Sequence, residues 1–350
     1  MIFNPKKLKE IMAVSIAQIK ELREITGAGM QDCKKALEVT NGNMEEAVKE
    51  IRKKGQAVAA KREAREASEG TVIARTDGKF AAIIALKCET DFVATNDRFV
   101  ALANKIMDLV MANKPADLDG VLALPTEDGT VKDSIVAQIG VTGEKMEIGN
   151  YEHIEGEAVV AYNHFNHKLS TIVAYNQEGP AEVLKEVALQ VAAMNPVAVN
   201  ADEVPQKKKD DELAVAIEKT KAEQIAKAVD VALKKAGINP ALVDSEDHID
   251  SNTAKGWITA EQAAQAREIR ATVSAEKAAN LPEQMIANIA QGRLKKFFKE
   301  NCLVEQEFIN DAKINVQQYM DKAQKGLTVT AFRRVNLNPD YSSRLQPPFF

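Results

Sequence analysis

Cysteine is nearly absent. Cys33, Cys88 and Cys302 are few, odd in number and far apart, and no CxxC pair occurs. That excludes a disulfide framework and a cysteine-based zinc site, and it fits a reducing compartment such as the cytoplasm. Aromatic residues make up 5% of the 350, against 45% hydrophobic, so Ala, Val, Ile and Leu must do most of the packing. No apolar run approaches the ~20 residues a membrane helix needs. The lysine-rich stretch from Met1 to Met12 lacks the apolar segment and cleavage site of a signal peptide. Basic residues are not in excess, and the net charge of −5 argues against a broad nucleic-acid footprint. What remains is a chain long enough for two or more folding units, each with an aliphatic core.

The patterning predicts an α+β protein with a helical insertion. Residues 13–55 read as a compact three-helix unit. Ser15 caps a helix whose Ile16, Ile19 and Leu22 share a face, Gly27 to Gly29 supplies a turn, and Met30 to Val39 continues as a second helix. Asn43 with Glu46 resembles a capping box for a third. Residues 56–69 are dense in Lys, Arg, Glu and Ala, as in an exposed helix or stiff linker. Residues 70–154 carry a hairpin turning at Asp77-Gly78, a helix over Asn96 to Met111 and a later strand. Residues 155–205 repeat the pattern: Glu155-Gly156 matches Glu69-Gly70, and a strand pair precedes a helix over Ala181 to Met194. Two hairpin-plus-helix halves suggest a duplicated core. Residues 206–300 are Ala-rich and predict an antiparallel helical hairpin, its first helix opening at Asp210-Asp211-Glu212 to suit the dipole, a second at Thr259 with Gln262 and a third at Pro282. Residues 301–337 return a strand to the second half, and 338–350 form a loosely ordered tail.

Sites of bond-making chemistry are hard to find. Gly27-Ala28-Gly29 lacks the preceding strand, the third glycine and the following Gly-Lys-Ser/Thr of a phosphate loop, so no nucleotide site is expected. Cys33 lies on an apolar helical face and Cys88 ends an apolar strand, positions typical of buried structural cysteines. His164 and His167 flank a hairpin turn without a carboxylate or cysteine cluster. Arg293, Lys295, Lys296 and Lys299 suit a solvated face or the rim of a protein contact. Thr90-Asp91-Phe92-Val93 stands out by position, between a strand and a helix, where function concentrates. Taken alone, its apolar residues would be expected to enter the core.

Two segments carry a family resemblance. The run Leu22 to Leu37 (LREITGAGMQDCKKAL) and the tetrapeptide Thr90-Asp91-Phe92-Val93 resemble the signatures of bacterial elongation factor Ts, the nucleotide exchange factor for elongation factor Tu. Gly292 to Phe297 is similar to a third family segment, and the likeness spans roughly residues 13–337. It implies a ubiquitin-associated-like fold for the N-terminal unit and a coiled-coil module for the helical insertion. It also implies a non-enzymatic, cofactor-free role in translation elongation with elongation factor Tu as partner. Arg23 and Met30 would contact the partner's GTP-binding domain, and Thr90 to Val93 would dislodge its magnesium ion, with Asp91 and Phe92 intruding. Gln190 stands where many relatives have a contributing His. The insertion, longer than usual, would be either an enlarged homodimer surface or a longer arm. The family-like sequence begins near Met12, which suggests a short extension before it and leaves Met1 and Met12 as the two candidate native starts.

Overall fold

The computed structural model describes residues 14–127 and 129–337. The two candidate starts and the tail from Asn338 lie outside them. The chain forms two compact units: one comprises the residues up to Asn195, Phe308–Asn310 and the residues from Val316 on, the other Pro196–Glu307 and Asp311–Asn315. The fold is mixed helix and sheet, as predicted.

The first unit opens with helices α1 (Ile16–Thr26), α2 (Met30–Val39) and α3 (Met44–Arg62). Ser15 and Gln18 cap α1 reciprocally, and Asn43 accepts from Glu46 N at 3.2 Å to cap α3. Ile19, Leu22, Cys33, Leu37 and Ala47 form a small core. Ile16, expected on that face, is exposed, and Val14 packs against the bundle instead. The third helix continues to Arg62, through much of the stretch read as a linker.

Next come β1 (Glu69–Asp77), β2 (Phe80–Cys88), α4 (Asp91–Ala94), α5 (Asp97–Asn113), α6 (Leu118–Ala123), the short β3 (Pro125–Thr126) and β4 (Gly129–Thr130), α7 (Val131–Thr142) and β5 (Met146–Glu155). The second half carries β6 (Ala158–Asn163), β7 (Leu169–Tyr175) and α8 (Ala181–Met194). The second unit holds α9 (Gln206–Lys235), a 3-10 turn (Pro240–Leu242), α10 (Glu246–Ala254), α11 (Ala260–Ala279) and α12 (Glu283–Asn301). Then follow β8 (Glu307–Phe308), β9 (Asp311–Asn315), α13 (Val316–Ala323) and β10 (Val329–Asn336).

Two antiparallel three-stranded sheets, ordered β1-β2-β5 and β10-β7-β6, share one plan. In each, a hairpin is followed by a helix, and a later strand returns beside the hairpin's second strand. The repeated Glu-Gly has a steric reason. Gly70 has φ +147°, and a Cβ there would meet Leu86 O at 2.2 Å; a Cβ on Gly156 would meet that of Ala174 at 2.8 Å.

Strand β2 is buried on both faces except at Lys87. Phe80, Ala82, Ile84 and Leu86 pack with Phe99, Ile106 and Val110 of α5 and Ile135 and Ile139 of α7. The alternating Ala81, Ile83 and Ala85 pack with Ile172, Ala174 and Val335 of the second sheet. Helix α8 is tied to β7 by Thr171, whose hydroxyl donates to Ala188 O at 3.0 Å, and by Tyr175, which donates to Leu184 O at 2.7 Å. Helices α3 and α7 touch at glycines: a Cβ on Gly140 would lie 2.7 Å from the Gly55 Cα.

The second unit carries the three long helices the sequence suggests, with a short helix between the first two. Helix α9, 30 residues long, packs against both α11 and α12. A cluster of Val229, Leu233, Ile238, Val243 and Ile249 fills the end where α10 sits. The first helix begins at Gln206, four residues before Asp210, so lysines rather than carboxylates occupy its first turn. The acidic residues pair within the helix instead: Gln206 donates to Asp210 at 2.8 Å and Lys208 meets Glu212 at 2.9 Å.

Candidate partner-binding site

Where β2 leaves the first sheet, Thr90 turns the chain into the single turn of α4. Its backbone is extended (φ −127°, ψ 156°), and its hydroxyl oxygen accepts from Val93 N at 3.4 Å, an N-cap. Val93 and Ala94 pack against the core below. Phe92 points away from it and is 84% exposed. The ring does not follow the strand into the core, as an apolar residue taken alone would; of this turn only Val93 and Ala94 reach inward. Asp91 is exposed beside it. A hollow of about 460 Å³ lies next to Asp91, lined by Gly70, Thr95, Asn104, Asn163 and His167.

Two carboxylates that the sequence reading did not single out anchor this turn. Glu144, just past the end of α7, accepts from Thr90 N at 3.0 Å and from the Thr90 hydroxyl at 2.7 Å. Glu89 accepts from Lys145 N at 2.7 Å, from Arg62 at 3.2 Å and from Arg65 at 3.0 Å. Burial works to raise the Glu89 pKa, but the Lys145 N–H and the two guanidinium groups outweigh it and hold the carboxyl below its usual range. No local pattern marks these residues, since their partners are a helix or more away along the chain.

Arg23 and Met30 flank the α1–α2 turn, and both side chains are exposed. Gly27 in that turn has φ +72°, and a Cβ there would clash with the Arg98 guanidinium at 1.6 Å. The left-handed backbone is what calls for glycine, since the Arg98 head group ends a flexible side chain and can move aside.

Gln190 is different. It is fully buried in α8, and its side-chain oxygen accepts from Ile309 N at 2.8 Å. It has no surface to offer a partner, so the expectation of direct contact there is corrected: the amide holds the Phe308–Asn310 turn.

The remaining chemistry-bearing residues are structural. All three cysteines are buried and unpaired with one another. Burial, helped by Glu144, pushes the Cys88 thiol up to about 12, and burial pushes Cys302 to about 11. His164 meets the Tyr162 hydroxyl at 2.9 Å in the β6–β7 turn. Arg293 pairs with Glu223, and Lys299 with Glu307 at 3.0 Å. Among the described residues no cluster of His, Cys, Asp or Glu could hold a metal ion. No described helix is long and apolar enough to cross a membrane.

The site is thus an exposed aromatic held on an anchored turn. A family model described as Elongation factor TS matches residues 89–229 and 210–338. Elongation factor Ts of Bacteroides thetaiotaomicron is 58% identical over 295 residues, covering 84% of this chain and 89% of the relative. That of Phocaeicola vulgatus is also 58% identical with the same coverage, and that of Porphyromonas gingivalis is 42% identical, covering 84% and 87%. The chain belongs to the elongation factor Ts family, and with it to the factors of translation elongation in protein biosynthesis.

Proposed function

We propose that the chain binds elongation factor Tu carrying GDP in the cytoplasm and promotes GDP release, so that GTP can take its place. Asp91 and Phe92, presented between Thr90 and Val93, intrude at the partner's magnesium and nucleotide site, while Arg23 and Met30 bind its GTP-binding domain. The observation that carries this reading is Phe92, 84% exposed on a turn fixed from below and behind. Leaving a phenyl ring in water forgoes about 1.5–3 kcal/mol of burial, which a partner recovers on docking.

The mechanism is linkage. GDP and magnesium stabilise one arrangement of the partner's site, and an inserted ring and carboxylate stabilise another. Whatever ratio the factor imposes on GDP affinity, GDP imposes on factor affinity. A thousandfold effect needs about 4 kcal/mol of differential binding, within reach of one aromatic anchor plus disrupted metal coordination. The reading requires no enzyme activity, cofactor or nucleotide site in this chain. Self-association through the helical unit is tested by deleting residues 207–280 and comparing masses by light scattering; a monomeric full-length chain removes it.

The deciding experiment is release of fluorescent GDP from the cognate elongation factor Tu, with the full chain and with Asp91→Ala combined with Phe92→Ala. Fast release that collapses in the double variant supports the wedge. Equal release by both moves the mechanism to other contacts. No acceleration by the full chain, with the partner folded, overturns the exchange function and leaves a binding adaptor.

A further inference from the structure

A four-residue helix does not hold itself. Helix nucleation is unfavourable, and a single turn forms only where tertiary contacts fix it. Helix α4 displays Asp91 and Phe92, so whatever fixes Thr90 at its start decides where that pair points. The Thr90 hydroxyl has one hydrogen, and it is donated to Glu144 at 2.7 Å. The oxygen lone pairs are thereby turned toward Val93 N, the bond that caps the turn. The second Glu144 oxygen accepts from Thr90 N at 3.0 Å, so one carboxylate locks both the backbone and the side chain of the cap residue. The loop that carries Glu144 is in turn held by Glu89, which binds Lys145 N, Arg62 at the C-terminal end of α3 and Arg65 just past it. The two connections pin each other: residue 89 holds residue 145, and residue 144 holds residue 90.

We propose that Glu144 is a positioning residue for nucleotide exchange: through Thr90 it pre-organises α4 so that Asp91 and Phe92 meet the partner in a fixed orientation. This rests on the exchange function proposed above. Charge-assisted bonds are shorter and stronger than neutral ones, and a pre-ordered aromatic avoids the ordering cost otherwise met on binding. Glu144 touches neither the nucleotide nor the metal.

The test uses the full chain and four variants: Glu144→Gln, Thr90→Val, both together, and Glu155→Gln as a control that removes an exposed carboxylate at the far end of β5, outside the clasp. Two readouts are taken, amide hydrogen exchange at Val93, Ala94 and Thr95, and the maximal rate of GDP release from elongation factor Tu. Glu144→Gln is expected to lower protection of the Val93 and Ala94 amides and to slow GDP release, each by about tenfold, the effect of losing one charge-assisted hydrogen bond. The double variant should be no more than about twofold worse than the worse single variant, because both singles break one unit. The control should stay within about twofold of the unaltered chain on both readouts, as surface changes outside such a unit do.

Unchanged protection in Glu144→Gln, or single effects that multiply to about a hundredfold, overturns the proposal. If the unaltered chain does not accelerate GDP release, the exchange function fails on its own, and the amide readout still judges whether Glu144 holds the turn. Should Glu144→Gln fail to fold in a thermal melt, Thr90→Val carries both readouts at Ala94 and Thr95.

Discussion

Replacing Phe92 by alanine separates folding from function. An aromatic side chain presents about 200 Å². With Phe92 at 84% exposure, about 170 Å² of it is free for a partner. At about 25 cal/mol per Å² the full burial corresponds to about 4 kcal/mol. Ordering and imperfect fit reduce this to about 2–3 kcal/mol, the range of an interface hot spot. GDP release should therefore slow by about 30- to 150-fold. Folding stability should change by less than about 0.5 kcal/mol, as for other exposed positions. Phe99, seven residues on and fully buried, should behave the opposite way. Phe99→Ala should cost about 3–5 kcal/mol of stability while leaving exchange per folded molecule close to normal. Urea titration and stopped-flow GDP release on the same preparations check both. A Phe92→Ala protein that is strongly destabilised, or that exchanges at the unaltered rate, refutes the reasoning.

Other outcomes follow from the same geometry. Glu89 has its pKa lowered in the folded chain, so its stabilisation is complete above the unfolded value of about 4.3 and is lost as pH falls through the folded value. The difference in melting temperature between the unaltered chain and Glu89→Gln should hold from pH 7 to 5 and shrink as pH falls below the unfolded value of about 4.3; a gap that does not shrink in acid contradicts the assignment. With Cys88 raised to about 12 and Cys302 to about 11, and Cys33 fully buried, a thiol reagent at pH 8 should label the native protein slowly and all three sites once it is unfolded. Rapid native labelling would contradict that burial. Gly140→Leu should force α3 and α7 apart at Gly55 and destabilise by about 1–3 kcal/mol, read from the urea midpoint; an unchanged midpoint would mean that the two helices do not cross there.

Much of the fold was readable because it rests on local signals. The Asp77-Gly78 turn, the Ser15 cap and the apolar run of β2 each act within a few residues, and the helix over Ala181 to Met194 lies where its pattern placed it. Local rules misled where two of them competed. The acids at 210–212 suited a helix start by the dipole argument, yet pairing with Gln206 and Lys208 one turn back carried the helix farther toward its N-terminus. The segment after Lys53 reads as an exposed helix or stiff linker from its charge; it is helical to Arg62, but Gly55, Val58 and Ala59 turn one side of α3 onto the first unit's core.

The candidate site divides in the same way. By itself the sequence determined which residues are chemically distinctive, the pairing of a carboxylate and an aromatic after a strand, and membership in a family with that tetrapeptide. It also placed Arg23 and Met30 beside a glycine turn, since φ > 0 at Gly27 is a property of one residue. Only tertiary structure decided that Phe92 faces water while Val93 faces the core, because that choice hangs on Thr90, and Thr90 is held by a carboxylate 54 residues away. The same holds for Gln190: its identity suggested a contact, but packing closed over it and gave its amide to Ile309. Propensity and capping act over a single turn, whereas the direction of an exposed side chain is set by which distant groups come within hydrogen-bond reach once the core has formed.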